Sequence, residues 1–239
     1  MPFPTAFLWD FDGTLADTRQ RNYNVVRRIF GENLKTSLDG MPALASAESY
    51  DKVNRRYFNW RELYATEFGF DEAETDRLGR LWSTYQERDH TPVRIFDGVS
   101  DVLAALAHAR HGIVSQNAKG EIARTLASAS LDAHFGAIVG YDDVPLTCQK
   151  PAPDCVLACL QQLTAFAPGH VMYIGDHETD VRCARNAGRA LKERGIALDV
   201  VSVAASFVGD IGLDRWAQQP DHVAHSPREI VAVAERLAG

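Results

Sequence analysis

Short apolar runs alternate with amphipathic segments through the larger, carboxyl-terminal part of the chain, and polar residues follow where an apolar run ends. Apolar runs of this kind predict buried strands, whereas apolar residues that repeat every three or four positions predict helices. The predicted strands span residues 5–9, 112–115, 137–139, 171–174, 199–204 and 222–224. The predicted helices span residues 118–130, 151–163, 178–187 and 227–237, and another begins near residue 98. This alternation predicts an α/β fold with a doubly wound parallel sheet.

Residues 16 to about 89 differ from the rest of the chain in composition and in the spacing of their apolar residues. This block is rich in Arg, Glu, Asn and Tyr, and its apolar residues repeat at helical spacing without a convincing strand. Its aromatic residues, which most simply form a core of their own, are Tyr57, Phe58, Trp60, Tyr64 and Trp82. We therefore expect a small all-helical domain over residues 16–91, inserted into a larger domain formed by residues 1–15 and 92–239.

Composition and charge exclude several classes of protein. With 46% apolar residues, the 239-residue chain is too apolar for disorder to be its main state. Its net charge of −7 and its lack of a Lys/Arg block argue against nucleic acid as a partner. Its apolar runs are shorter than the roughly 18 residues of a membrane span, and its amino terminus lacks the basic segment of a signal peptide. We expect a cytoplasmic protein without a membrane partner.

The four cysteines, Cys148, Cys155, Cys159 and Cys183, are too few and too clustered for the disulfide framework of a secreted domain. Cys155 and Cys159 stand about one helical turn apart, but they lack the second ligand pair that a zinc site requires. We expect free thiols, buried or half-buried, in a reducing compartment.

Polar residues that could carry chemistry stand at the ends of the predicted strands. The residues at these junctions are Asp10, Asp12, Ser115, Gln116, Lys150, Asp176 and Asp180. Taken singly, each has an ordinary explanation as a turn residue, a helix cap or a solvated side chain. Taken together, they fall at strand-to-loop junctions of one parallel sheet, and such sheets bind ligands at the carboxyl ends of their strands. The joint arrangement favours a functional site.

The residue types at these junctions suit phosphate chemistry. Three carboxylates in one cleft repel one another, and burial adds to the cost, so they need a cation. Oxygen ligands suit Mg²⁺, which takes few protein ligands and keeps several waters. Lys150 and the hydroxyl of Ser115 would supply positive charge and a donor for a tetrahedral oxyanion. A carboxylate that is free to attack phosphorus makes an aspartyl-phosphate intermediate possible.

Four ordered motifs span nearly the whole chain. They are DFDGTL at residues 10–15, Val114-Ser115, KPAPD at residues 150–154 and GDHETD at residues 175–180. These motifs resemble those of the haloacid dehalogenase-like (HAD) superfamily of phosphohydrolases. The helical block resembles the cap that follows the first motif in the phosphoglycolate-phosphatase-like branch. The resemblance implies a Rossmann-like core and a Mg²⁺-dependent phosphomonoester hydrolase that acts on a small organic phosphate, its partner being a small phosphorylated metabolite.

The resemblance also implies a role for each motif residue. Asp10 would be the nucleophile that takes the phosphoryl group. Asp12 would protonate the leaving alcohol and then activate water. Ser115, the amide of Gln116 and Lys150 would hold the phosphoryl oxygens, and the lysine would also neutralise charge on the nucleophile.

The same resemblance implies a metal site with supporting residues. Mg²⁺ would be held by Asp10, the carbonyl of Asp12 and Asp176. Thr14 would order the loop, and Asp180 would orient the lysine or a metal-bound water. The chain departs from the family pattern in two places. An extra residue, 116, separates the serine of the second motif from the next asparagine, and residues 189–195 form an unusually long segment before a strand.

The sequence leaves more than one possibility open for the substrate and for the type of reaction. Candidate contacts to the substrate are the polar residues of the helical block, Arg19, Arg21, Asn22, Asn54, Arg55, Arg56 and Arg61. A phosphomutase of the same superfamily would return the phosphoryl group to a sugar. A phosphonate hydrolase would need Lys35 or Lys52 to form a Schiff base. Outside the enzymes, the alternative is a non-catalytic phosphate-binding protein.

Overall fold

The computed structural model describes residues 2–239. Its strands are β1 (Ala6–Trp9), β2 (Ala16–Asp17), β3 (Arg94–Ile95), β4 (Arg110–Val114), β5 (Phe135–Val139), β6 (Gly169–Gly175), β7 (Leu198–Ala205) and β8 (His222–Ala224). Its α-helices are α1 (Arg19–Asn33), α2 (Ala47–Asn54), α3 (Trp60–Glu67), α4 (Glu72–Gly79), α5 (Trp82–Arg88), α6 (Val99–Ala105), α7 (Lys119–Ser128), α8 (Asp154–Thr164), α9 (Glu178–Glu193) and α10 (Glu229–Ala238).

The chain divides into two compact units. The larger unit contains the amino-terminal residues up to Ala16 and resumes at Ile95, and the smaller unit is Asp17–Arg94. The boundary at which the chain returns from the smaller unit to the larger one thus lies after residue 94, whereas the sequence analysis expects it after residue 91. The expectation that the block contains no strand was wrong at its edge, because β2 pairs with β3 where the chain crosses between the units. Two-residue strands are too short to show the alternation by which a sequence predicts a strand.

Six strands of the larger unit form one sheet in the order β5-β4-β1-β6-β7-β8, and all neighbours are parallel. The predicted α/β fold with a doubly wound parallel sheet is therefore confirmed. In the central strand β1, Trp9 lies opposite Ile113 of β4 and Ile174 of β6. In this register the residues that follow β1, β4 and β6 leave the sheet at its carboxyl edge, where parallel sheets bind ligands.

Both faces of the central strand are covered. Side chains alternate along a strand, so Ala6 and Leu8 face one side, where they join a buried cluster with residues of α8 and α9. Phe7 and Trp9 face the other side and are at most 1% exposed. Strands that are buried on both faces read as continuous apolar runs, which is why the sequence shows them clearly.

A buried histidine lies beside the central strand. The indole Nε1–H of Trp9 donates a hydrogen bond to Nδ1 of His111 at 3.1 Å. On the other side of the ring, Nε2 of His111 lies 3.1 Å from the carbonyl oxygen of Leu106. Because Nδ1 accepts, these contacts require a neutral imidazole with its proton on Nε2. Burial lowers the pKa of His111, which favours the same neutral form.

The segment 189–195, for which the sequence offered no role, extends α9 to Glu193. Leu191 in this extension is buried with Ala187 in the cluster between α8, α9 and the sheet. The helix then ends before Gly195, whose φ of +71° is the left-handed conformation that commonly terminates helices.

The smaller unit packs its helices around aromatic and aliphatic side chains. The ring of Phe30 meets those of Tyr64, Phe68 and Phe70 edge-on, with centroids 5.2, 5.0 and 5.2 Å away. Four of the five aromatic residues expected in a core of this unit belong to its hydrophobic cluster, namely Tyr57, Trp60, Tyr64 and Trp82. This unit therefore has a core of its own.

Two features concern the chain as a whole. Across residues 2–239, every helix is too short or too polar to form a transmembrane segment. The four cysteines are free thiols, and Cys155, Cys159 and Cys183 are buried.

Candidate active site

The first motif forms a tight loop directly after β1. The amide of Asp10 still donates to Ile174 at 2.8 Å, so the sheet holds this residue. Beyond it, the amides of Leu15 and Ala16 both donate to the carbonyl of Phe11 at 3.0 Å, which closes the loop on itself. Backbone hydrogen bonds within the loop and with the sheet therefore position the two aspartates of the motif.

Gly13 allows this loop to approach the fourth motif. Its φ is +74°, and a Cβ on it would lie 2.0 Å from Oδ2 of Asp176. Real Cβ atoms do not come so close to an oxygen, so only glycine fits without a shift of the aspartate. The backbone of the loop after β1 is thus in close contact with the carboxylate of Asp176, which follows β6.

Lys150 bridges two of the predicted carboxylates. Its Nζ donates to Oδ1 of Asp10 at 2.8 Å and to Oδ1 of Asp180 at 2.6 Å, and its side chain is 3% exposed. Burial disfavours the charged amine, but the two carboxylates more than compensate and raise the pKa of Lys150. The lysine is therefore a fixed buried cation at neutral pH.

Asp180 uses both of its oxygens for structure. The Tyr173 hydroxyl lies 3.0 Å from Oδ1, which also accepts from Lys150. Oδ2 accepts the amide of His177 at 3.1 Å, the hydrogen bond that caps the start of α9. With these partners in place, Asp180 holds the lysine.

Three carboxylates converge beside this lysine. Oxygens of Asp10, Asp176 and Asp180 lie within 4.8 Å of one another, and all three residues are buried. Burial raises the pKa of Asp10 well above its ordinary value, and although Lys150 lowers it, the neighbouring aspartates raise it further. The cluster carries more negative charge than one lysine balances, which is the electrostatic condition that favours a bound cation.

Ser115 and Asn117 line the same edge of the sheet after β4. The hydroxyl of Ser115 accepts the amide of Asn117 at 3.2 Å, which leaves its own proton available to donate. The side chain of Asn117 donates to Oδ1 of Asp12 at 3.2 Å and accepts the amide of Ala118 at 2.8 Å. The predicted contact residue Gln116 has an exposed side chain, so its backbone amide is the group to consider for a phosphoryl oxygen.

No side-chain hydrogen bond among residues 2–239 supports the role predicted for Thr14. Thr14 is fully buried, and its hydroxyl has no hydrogen-bond partner among residues 2–239. The loop is ordered by its backbone, as described above.

Two residues of the site were missed by the sequence analysis. Asn117 positions Asp12, and the displaced asparagine after Ser115 was the available signal. Tyr173, in the middle of β6, joins Asp180 and the carbonyl of Val114. Its signal was a tyrosine in an otherwise apolar strand, because a buried tyrosine hydroxyl usually needs a partner.

The fold is a doubly wound parallel sheet, and the site has carboxylates after the central strand and a buried lysine beside them; together they agree with a class of hydrolases. The chain belongs to the haloacid dehalogenase-like hydrolases, whose family model matches residues 7–193. The membership predicted from the four motifs is confirmed.

Comparisons with individual proteins agree with the family. The chain is 26% identical over 222 residues to the pyrophosphatase PpaX of Listeria monocytogenes, covering 89% of this chain and 93% of the relative. It is 28% identical over 192 residues to a phosphoglycolate phosphatase of Xanthomonas campestris, covering 79% and 81%. The crystal structure of a haloacid dehalogenase-like hydrolase from Streptococcus pneumoniae shares the fold, with a TM-score of 0.72, 20% identity and coverage of 96% and 98%.

Proposed function

We propose that the protein is a Mg²⁺-dependent phosphomonoester hydrolase that acts on a small organic phosphate through an aspartyl-phosphate on Asp10. The observation that carries this proposal is the bridge from Lys150 to Asp10 and Asp180 within a buried carboxylate cluster. The phosphatase names of the relatives support the same reaction class.

The residues present fit a Mg²⁺ ion. Asp10 and Asp176 bring buried carboxylate oxygens together, and Gly13 leaves no room for a side chain against Asp176. Hard oxygen donors and uncompensated negative charge match what Mg²⁺ selects. Asp10, Asp176 and the carbonyl of Asp12 would hold the ion, and when bound it would neutralise charge on the phosphoryl oxygens and on the nucleophile.

In the first half of the reaction, a carboxylate oxygen of Asp10 attacks phosphorus and forms an acyl-phosphate bond. The bond from phosphorus to the ester oxygen breaks, and Asp12 gives its proton to the departing alcohol. Asn117 fixes the orientation of Asp12 for this transfer. Lys150, already 2.8 Å from Asp10, stabilises the negative charge that accumulates around the transferred group.

In the second half, water attacks the phosphorus of the aspartyl-phosphate. Asp12, now a carboxylate, takes the proton of that water, and the bond between phosphorus and Asp10 breaks to release inorganic phosphate. The hydroxyl of Ser115 and the amide of Gln116 hold the phosphoryl oxygens in both halves. The site returns to its starting state with Asp12 protonated.

A phosphonate hydrolase receives no support from the helical unit. Its candidate lysines, Lys35 and Lys52, are both exposed. A Schiff-base lysine is normally activated by desolvation or by a cationic neighbour.

Placement of the protein in the cytoplasm stays a prediction.

The direct test measures phosphate release from an aryl phosphate with Mg²⁺ or with EDTA, for the wild type and for Asp10→Asn. We expect Mg²⁺-dependent release that falls about a thousandfold or more in Asp10→Asn, because the nucleophile is lost. The matched control is Asp132→Asn, which changes an exposed aspartate of the same unit and should retain full activity.

A substrate panel follows from the relatives. Phosphoglycolate and pyrophosphate are the first compounds to compare with the aryl phosphate. A mutase would return the phosphoryl group to a sugar phosphate instead of releasing it. Full activity of a folded Asp10→Asn protein would exclude the aspartyl-phosphate, and no turnover of any compound by the wild type would favour the binding protein.

A further inference from the structure

A cleft of about 820 Å³ lies wholly within the helical unit. One wall is the middle of α1, which contributes Asn24, Arg27 and Arg28. The other wall is the end of α5 and the residues after it, 88–91. None of the residues that line this cleft belongs to the carboxylate and lysine site described above.

The lining of the cleft is strongly cationic. Three arginines border it, Arg27, Arg28 and Arg88. The carboxylate among the described lining residues is Asp89, which is 6% exposed and accepts the amide of Thr91 at 2.9 Å. The cleft is a shallow and open depression, and like charges grouped on such a surface add to a local potential of one sign. The cleft therefore presents positive charge that its own lining does not neutralise.

Several other arginines of this unit are paired with carboxylates. Arg55 lies 3.0 Å from Asp51, and Arg77 lies 2.7 Å from Glu74. By contrast, neither Arg28 nor Arg88 makes a hydrogen bond or ion pair with another described residue. Two arginines without such a pair therefore lie on opposite walls of one cleft.

The walls are held in place by hydrogen bonds. Asn24 on α1 donates to the hydroxyl of Thr91 at 2.8 Å, which ties the two walls together. Arg27 donates to the Tyr23 hydroxyl at 2.9 Å, and that hydroxyl donates to the Leu44 carbonyl at 3.1 Å. Arg27 is thus fixed while most of its N–H groups stay free. A guanidinium in this state matches the paired oxygens of a phosphate or carboxylate.

We propose that this cleft is a binding site for a small multivalent oxyanion, separate from the catalytic site. Arg28 and Arg88 would contact the anion from the two walls, and Arg27 lies beside Arg28 on the wall formed by α1. Because both phosphate and carboxylate groups present paired oxygens, the chemistry they share defines the ligand class. The proposal goes beyond the hydrolase reaction and does not rest on it.

The test is a titration of the ¹⁵N-labelled full chain followed by NMR, at constant ionic strength and with EDTA to suppress turnover. The probes are pyrophosphate and, in a parallel arm, succinate. We expect saturable shifts of the amides of residues 24–28 and 88–91. Saturation with pyrophosphate alone would assign the site to phosphate compounds, and saturation with both would assign it to dianions in general.

The variant for this test is Arg28→Gln combined with Arg88→Gln, both at exposed positions. Loss of two charge-assisted contacts should weaken binding at the cleft about tenfold or more. The charge-matched control, Arg77→Gln with Arg80→Gln, changes arginines outside the cleft and should bind as the wild type does. Shifts confined to the catalytic site, shifts that never saturate, or equal binding by the cleft variant would each overturn the proposal.

Discussion

The two units of this protein use charge in opposite ways. The helical unit contains 13 basic and 13 acidic residues, whereas the larger unit contains 12 and 19 and so carries the whole net charge of −7. In the larger unit, Asp10, Lys150, Asp176 and Asp180 are buried together, none of them more than 7% exposed. In the helical unit, pairs such as Arg77 with Glu74 lie at the surface. The helical unit is neutral because its basic and acidic residues are equal in number, whereas the larger unit buries several charged residues together at one edge of its sheet.

This difference has an energetic meaning. Exposed pairs contribute roughly 0 to 1 kcal/mol each, because water already solvates both charges. A buried charge that loses its partner costs several times more, because the remaining charge stays desolvated. The larger unit therefore depends on a few charged residues, and the helical unit tolerates the loss of most of its own.

The largest expected effect is that of Lys150→Met. Removal of the lysine leaves Asp10 and Asp180 buried without their cation, so the free energy of unfolding should fall by about 3 kcal/mol and activity should be lost. The control is Arg77→Gln in the helical unit, where the change should stay within about 0.5 kcal/mol. Urea unfolding of both variants makes the comparison, and equal effects would remove the contrast between the units.

Gly13→Ala should have the next largest effect. The new methyl group would meet Asp176 at 2.0 Å and stand at a φ of +74°, so the aspartate must move. We expect phosphate release to fall about a hundredfold, with a stability loss of about 1 to 3 kcal/mol. Gly195→Ala has a similar φ of +71° with no atom within 4 Å, so it should cost stability without costing activity. If both variants keep full activity, the close approach at Gly13 does not matter for the site.

Tyr173→Phe tests the tyrosine that the sequence did not single out. It keeps the ring and removes the hydroxyl between Asp180 and Val114, so we expect a loss of about 1 kcal/mol. Turnover should fall while KM stays nearly constant, because the lysine is less well held. Tyr50 is a matched control in the helical unit, since it is buried and its hydroxyl makes no hydrogen bond with the described residues. Tyr50→Phe should be neutral or slightly stabilising, and a larger loss than for Tyr173→Phe would contradict this assignment.

The smallest expected effect is a dependence of stability on pH. Because burial lowers the pKa of His111, the unfolded chain takes up a proton at this residue before the folded chain does. Neutral His111 therefore makes its full contribution to the free energy of unfolding above about pH 6.5, the ordinary pKa of histidine. This contribution is lost as the pH falls through the lower pKa of His111 in the folded chain. The hydrogen bond with Leu106 raises the pKa of His111, but burial outweighs it, and the coulombic influence of His134 and His108 lowers this pKa further. Unfolding midpoints between pH 5 and 8 should slope less in His111→Asn than in the wild type.

Exposed His90 of the helical unit provides the comparison for this slope. His90→Asn should leave the pH dependence of the unfolding midpoint as it is in the wild type. A slope that is unchanged in His111→Asn would mean that other groups account for the acid sensitivity.

Sequence patterns predicted the sheet well because its strands are buried on both faces and therefore read as apolar runs. They placed Asp10, Lys150 and Asp176 at one edge because parallel strands share their direction. They could not show that Asn117 reaches Asp12, a contact across 105 positions in the chain. They also could not show which oxygens of Asp180 are already used. Such facts depend on side-chain geometry that only the folded chain provides.

Sequence patterns predicted the structure least well where strands are short or where a segment is mainly polar. β2 and β3 have two residues each, too few for a periodicity to emerge. The last turns of α9 are rich in charged residues, so the sequence offered no role for them, whereas the structure shows that Leu191 is buried there. The cationic cleft combines α1 with residues 88–91, and no local pattern connects segments so far apart.

The two oxygens of Asp180 serve two different tasks. One oxygen closes the first turn of α9 through the amide of His177, and the other holds Lys150. The start of α9 and the position of Lys150 therefore depend on one side chain. A substitution of Asp180 therefore affects both tasks at once, so the start of α9 and the position of Lys150 cannot change independently during evolution.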